Sequence, residues 1–259
     1  EAAASAVIVA CGGRAAPHTG SDGSGYALLQ GAGHTLTRLY PAIVPLRTDT
    51  VPIRPVAKLR IEGVVTAFAG GETRREAGEI HFAEYGLSGP PVLQLSGFVA
   101  AHDGADLQLD LIPDRTEDWV LSWLRQRRPA AYGDAAENLF LGLLPKRFAQ
   151  MILKACGVSP ADPASEVSDG TLAALARTAK AFALRATGTA PWAEAQVTAG
   201  GVPLSEFDAD LMSEKRPGLF ACGEVLDVTG DCGGFNLQWA WSSGFVAGTA
   251  AAAYAGGKR

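Results

Sequence analysis

The run from Gly218 to Gly248 constrains this chain more than any other stretch. Gly218-Leu219-Phe220-Ala221-Cys222-Gly223-Glu224-Val225-Leu226-Asp227 is followed by Gly230-Asp231-Cys232-Gly233-Gly234-Phe235-Asn236 and then by a long tract rich in Ala and Gly. Leu219 to Cys222, apolar and bounded by glycines, reads as a short buried strand. Gly223 removes a side chain where the strand ends. Glu224 and Asp227 supply acceptors for hydroxyls such as those of a ribityl chain, while Gly230, Gly233 and Gly234 permit positive φ and close backbone approach. Asn236 is expected to cap the helix that follows. The first turn of that helix, around Leu237 and Gln238, would aim unpaired N–H groups and a positive dipole end into the loop. Gly244 and Gly248 are expected to let the helix lie close to a sheet or another helix. Strand, acidic turn, glycine loop and helix start, in that order, suit a flat polar cofactor. A flavin, whose reduced form is negative at its pyrimidine edge, answers the description.

Three further motifs precede this run. They are Ala10-Cys11-Gly12-Gly13 with Pro17-His18-Thr19-Gly20-Ser21-Asp22-Gly23-Ser24-Gly25-Tyr26, then Gly86-Leu87-Ser88-Gly89-Pro90, then Val197-Thr198-Ala199-Gly200-Gly201-Val202. Together the four resemble, in order and across almost the whole chain, the NAD(P)/FAD-dependent oxidoreductase family of BaiN-like and aminoacetone-oxidase-like flavoproteins, which have two dinucleotide-binding folds. The resemblance implies FAD as cofactor, NAD(P)H as an electron donor, and a small-molecule substrate held between the FAD domain and an insert. Carried over residue by residue, it assigns Cys11, Gly12 and Gly13 to the strand end that approaches the cofactor, with Cys11 standing where many relatives have Thr. It assigns Gly223, Glu224 and Asp227 to the turn near the ribityl chain and pyrophosphate. Gly233, Gly234, Phe235, Asn236 and Leu237 fall to the loop and helix start near the isoalloxazine. At Ala83-Glu84 some relatives carry Thr-His, and that departure leaves a proton-transfer role there open. His81, Glu84 and Tyr85 read as surface or sheet positions, and no catalytic acid or base is nominated. The substrate stays open between an amine oxidised with O₂ and an unsaturated carbonyl reduced with NAD(P)H.

Flavoproteins of this type open with a strand, a G-x-G-x-x-G turn and a helix, with an acidic residue about twenty positions later. The chain shows no such fingerprint and enters a strand at Ala6-Val7-Ile8-Val9-Ala10. The expectation is a Rossmann-like domain whose N-terminal unit lies outside the sequence. One alternative is therefore a folded piece that holds no FAD and has no activity of its own. Another is a flavin-dependent RNA-modifying protein.

Composition narrows the classes. A hydrophobic content of 47% is ample for a core, and the net charge of −5 is spread along the chain, which speaks against nucleic acid as a partner. Arg125, Arg127 and Arg128 read as a solvated helix face. No stretch is long and apolar enough for a membrane span. The four cysteines, Cys11, Cys156, Cys222 and Cys232, and the four histidines have no metal-ligand spacing, so a reducing cytoplasmic setting without metal is expected. Cys222 and Cys232 flank the proposed cofactor loop, which raises a redox disulfide as a minor reading.

The expected architecture is α/β: a discontinuous FAD-binding domain, 1–48 and 193–259, interrupted by an antiparallel β subdomain, 49–113, and by a helical subdomain with a return strand, 114–192. A helix is expected from about Ser24 to Ala32. The Gly70-Gly71 and Asp103-Gly104 pairs read as hairpin turns, the second between a strand through Leu95, Phe98 and Val99 and one through Leu107, Leu109 and Leu111. Thr116 is an N-cap, with Trp119, Val120, Trp123 and Leu124 on one helix face and the tryptophans as core. Pro145 and Gly157 bound a second helix, and Leu172, Leu175 and Ala176 mark a third.

Overall fold

The computed structural model describes residues 4–257, so the outermost ends of the first and last expected segments, 1–3 and 258–259, lie outside it. In chain order the elements are β1 (Val7–Val9), α1 (Ser24–Gly31), β2 (Tyr40–Ala42), β3 (Leu46–Thr48), β4 (Arg60–Ala69), β5 (Glu72–Ala83), β6 (Gly86–Ser88) and α2 (Pro90–Ala101). There follow β7 (Ala105–Asp110), α3 (Glu117–Arg127), α4 (Lys146–Ala155), α5 (Asp169–Lys180), β8 (Phe182–Thr189), β9 (Val197–Ala199), β10 (Leu219–Ala221) and α6 (Phe235–Ala255). The chain divides into two compact units, Glu1–Val44 with Ala190–Arg259, and Pro45–Thr189.

The inner unit is built on a closed antiparallel barrel in the order β3-β6-β5-β4-β7-β8. Its longest hairpin pairs Arg60 with His81 through to Ala69 with Glu72, turning at Gly70-Gly71, where both residues have positive φ. Alternation along β7 buries Leu107 and Leu109 and exposes Asp106 and Gln108, the period-two signature of a strand with one wet face. The last strand, β8, pairs with both β3 and β7 and so completes the closure. Because the barrel needs a strand from 182–189 and its core runs on into α3, α4 and α5, the β-rich 49–113 and helical 114–192 do not form separate compact bodies. Phe82 of the barrel meets Phe148 of α4 edge to face, ring centres 5.3 Å apart.

One expected strand is a helix. Leu95, Phe98 and Val99 lie on α2, opened by Pro90 and Pro91, and its buried residues Val92, Leu95, Ser96 and Val99 follow helical spacing. Asp103-Gly104 is thus a helix-to-strand turn. Both hydroxyl caps of the helical part are formed: Thr116 Oγ1 accepts the Trp119 N–H, and Ser168 Oγ accepts that of Thr171. Pro145 sits one residue ahead of α4, as its N-cap. Trp119 and Trp123 stack at 5.5 Å, with Arg115 over the outer ring. Arg125 and Arg128 pair with Asp169, but Arg127 departs from a solvated face, since its Nε is buried without a partner.

The outer unit is α/β of Rossmann type. Parallel β1 and β10 run in register from Val7–Leu219 to Val9–Ala221, and antiparallel β2 and β9 form a second pair. Val9, Tyr26, Leu29, Phe220, Val225 and Ala247 belong to one core. Helix α6 buries Ser243, Ala247, Ala250 and Ala251. A Cβ added at Gly244 or Gly248 would meet nothing within 4 Å, so close packing runs along the neighbouring small residues instead. At the far side of this unit His34, with its side chain fully buried, bridges Glu206 Oε2 (2.7 Å) and Ser213 Oγ (2.8 Å) and stacks on Phe207.

Candidate functional site

The carboxyl ends of β1 and β10 open into a cleft of about 460 Å³ in the outer unit. Ligands of open α/β sheets bind in this position, beyond the strand ends. Gly12, Gly223, Glu224, Gly233, Gly234, Asn236 and Leu237 line the cleft, so seven of the residues singled out from sequence converge there. Cys11, Gly13, Asp227 and Phe235 are not on its wall. The Cys11 sulfur lies against Gly25, where a Cβ would collide with it. Asp227 Oδ2 accepts a hydrogen bond from the Thr37 hydroxyl at 2.9 Å, and Phe235 is exposed.

Backbone conformation explains the glycines. Gly12, Gly223, Gly233 and Gly234 all have positive φ, which side chains rarely adopt. A Cβ at Gly234 would meet open space, so what glycine supplies there is conformation and room. Gly234, not Asn236, is the N-cap of α6, and no side chain caps that helix. Asn236 instead turns back on the loop: its Oδ1 accepts the Gly230 N–H at 2.8 Å and its Nδ2 donates to the Gly230 carbonyl at 2.9 Å. The uncapped first turn leaves backbone donors and a positive dipole end at the cleft. Behind the cleft, Ser243 Oγ accepts the Gly223 N–H and Trp239 Nε1 donates to the Gly223 carbonyl, which pins the turn to α6.

Glu224 is the half-buried carboxyl of the wall. Its Oε1 accepts the Thr198 N–H at 3.0 Å. Burial pushes its pKa up, and hydrogen bonds from Thr198 offset only part of that rise. Cys222 also lines the cleft, and burial raises its thiol pKa. Cys222 and Cys232 are not joined to each other by a disulfide. Sequence reasoning missed Ile43, Gln196, Val197 and Ala240 on the wall. Ile43 carries a signal visible only in the backbone: φ is +48°, a strained conformation for a β-branched residue, and its carbonyl accepts the Gln196 N–H. Of the groups weighed in the inner unit, His81 pairs with Glu79, Glu84 with Lys58, and Tyr85 is exposed.

The cleft suits a flavin nucleotide by three features of its own: a glycine cradle in conformations side chains disfavour, an uncapped helix N-terminus, and a carboxyl on the wall. Among the described residues no cluster of His, Cys, Asp or Glu could hold a metal ion, and no helix is long and apolar enough to cross a membrane.

Fold and cleft together define an α/β protein of Rossmann type with a cleft at the strand ends. The family described as HI0933-like protein Rossmann domain matches residues 1–250, and the chain belongs to that family. Among curated proteins, it is 37% identical over 252 residues to a 3-dehydro-bile acid delta(4,6)-reductase of Clostridium scindens, an alignment covering 95% of this chain and 62% of the relative. A ribosomal RNA dihydrouridine synthase of Escherichia coli is 30% identical over 244 residues, covering 93% of this chain and 59% of the relative. The chain therefore spans about three fifths of the length of these relatives.

Proposed function

We propose that the protein is an FAD-dependent oxidoreductase, with NAD(P)H as electron donor, that reduces a carbon–carbon double bond conjugated to a carbonyl in a small organic substrate. The observation that carries this reading is the convergence of Gly12, Gly223, Gly233, Gly234 and the uncapped start of α6 on one cleft at the ends of β1 and β10. The choice of reduction draws on the relatives. One is named a delta(4,6)-reductase of a 3-dehydro bile acid, and the other forms dihydrouridine, which is uridine with its ring double bond saturated beside a carbonyl. The two names share one reaction type on very different molecules.

A bound flavin supplies hydride transfer, and the chain's residues provide its setting. Gly233 and Gly234 let the backbone lie flat against a ring. The first-turn N–H groups of α6, at Phe235, Asn236 and Leu237, stabilise negative charge at the edge they face. Glu224, on the cleft wall, would hydrogen-bond the polar chain of the nucleotide, while Asp227, off the wall and bound to Thr37, would not reach it directly. Leu237 and Ile43 give the cleft apolar surface that excludes water. The reading places the protein in the cytoplasm.

A second reading, reduction of uridine in RNA, is favoured by the ribosomal RNA dihydrouridine synthase among the relatives. The net charge of −5 weighs against a nucleic-acid partner. The test is made on the full-length protein: an oxidised-flavin absorption spectrum, then anaerobic bleaching by NAD(P)H, then recovery of colour on adding an α,β-unsaturated ketone or a uridine-containing RNA. Recovery with the ketone alone supports the first reading and recovery with RNA alone supports the second. A colourless protein rules out both.

A further inference from the structure

We propose that Thr198 is a positioning residue that holds the Glu224 carboxyl in one orientation at the cleft wall and ties it to the loop after β1. The proposal rests on the reading of the cleft as a cofactor site. Thr198 is 1% exposed, on β9, and its backbone and side chain both reach other elements. Its Oγ1 accepts the N–H groups of Arg14 (2.7 Å) and Ala15 (2.9 Å), and its own N–H donates to Glu224 Oε1 (3.0 Å).

The hydrogen-bond count then fixes the role of the hydroxyl. A threonine hydroxyl has two lone pairs and one proton. Both lone pairs are engaged by backbone N–H groups, so the group is left as a donor, with the Glu224 carboxyl and the Tyr26 hydroxyl as the acceptors beside it. Glu224 thus takes a donation from the Thr198 main chain and has the Thr198 hydroxyl beside it as a second donor. Gly13 records how tightly the three elements meet. A Cβ added there would collide with both Glu224 Oε1 and Thr198 Oγ1, so any side chain at position 13 would displace the pair.

The other groups around Glu224 do not donate to its carboxyl, and Tyr26 reaches only the Glu224 main-chain carbonyl, at 3.5 Å. Tyr26 from α1, Cys11 after β1 and Asp227 after the turn bear on the same cluster, and each is neutral or acidic. Cys222, at the end of β10, shares the cleft wall. The Arg14 guanidinium is turned away, over the Trp192 ring at 5.1 Å. Thr198 is therefore the group that opposes burial in setting both the direction and the charge of the carboxyl.

The experiment compares wild type, Thr198→Val and Thr198→Ser in the full-length protein, with two readouts. The first, taken on flavin-free protein, is the pH midpoint of the carboxyl band removed by Glu224→Gln in infrared difference spectra. The second is the dissociation constant of FAD. Thr198→Val is expected to raise the midpoint by about one pH unit, because the ionised form loses a donor. It is expected to weaken FAD about tenfold. Thr198→Ser is expected to restore both, and Thr198→Val is expected to add nothing to FAD affinity once Glu224→Gln is present. Unchanged midpoint and affinity in Thr198→Val overturn the proposal, as does a serine variant that behaves like the valine one. If Thr198→Val does not fold, Thr198→Ala is read by the same two measures. A wild type that binds no FAD overturns the cofactor reading, and the infrared midpoint then judges Thr198 separately.

Discussion

The two units solve the burial problem in opposite ways. In the inner unit each barrel strand has a neighbour on both sides, and the helices share its core. The outer unit keeps two-stranded pairs and displays apolar surface: Val7 and Ile8 on β1, and Leu237, Trp241 and Phe245 at i, i+4, i+8 on α6. Parallel strands are normally covered on both faces, and large exposed apolar patches mark interaction sites. Closure yields stability without a partner, whereas a unit that binds through bare backbone at strand ends keeps that end of its sheet open. What differs is where each unit places its irregular backbone. Five positive-φ residues of the outer unit, Gly12, Ile43, Gly223, Gly233 and Gly234, line one cleft, whereas those of the inner unit fall in turns such as Gly70-Gly71 or within strands, as at Gly78.

The largest expected effect falls on the closed unit. Phe82→Ala removes a fully buried ring from the barrel core and is expected to cost about 3–5 kcal/mol, measured by denaturant unfolding. A loss under about 1 kcal/mol would mean that the barrel is less tightly packed than its closure implies. In the open unit, Gly234→Val forces a branched side chain into positive φ at the cleft and is expected to strip FAD from the full-length protein while the far-UV circular dichroism stays native. Retained stoichiometric flavin would count heavily against the site.

Acid should also separate the units. Burial alone would raise the Glu206 carboxyl, but hydrogen bonds from Lys215, Thr35 and His34 outweigh it and hold the pKa at about 2, down from 4.5. The stabilisation from this bolt is complete above pH 4.5 and fades as pH falls toward 2, as the carboxylate takes up a proton. Glu206→Gln is expected to flatten that part of the stability–pH curve, and an equally steep curve in the variant would refute the assignment. Smaller still, Thr116→Ala should cost about 1 kcal/mol through its lost helix cap. Trp241→Ser is expected to change stability by less than about 0.5 kcal/mol while lowering the binding of a hydrophobic dye.

The elements most legible in the sequence were those with local causes. The cap at Thr116, the glycine turn of the long hairpin and the boundaries of α1 depend on a few adjacent residues. The segment around Leu95 misled because a short apolar run does not distinguish strand from helix, and the deciding proline pair sits at its start. The cleft glycines were legible because backbone conformation demands glycine. Asn236 was misplaced because its partner, Gly230, lies six residues back across a loop whose path local propensity does not set. Ile43 meets Gln196 across 153 positions, and Thr198 meets Arg14 across 184 and Glu224 across 26, and no local pattern encodes these contacts.

The pairing of β3 with β8 has a further consequence. Leu46 and Thr189 are register partners, so the polypeptide enters and leaves the barrel through one doorway. Just outside it, Val44 and Ala190 are buried in the same small cluster with Ala15 and Ala195. A host chain whose cut ends already meet can have the intervening 145 residues excised and a short linker sewn in, or a different module spliced into the gap, without moving either end. The barrel is in that sense a cartridge, which evolution can exchange without touching the cleft.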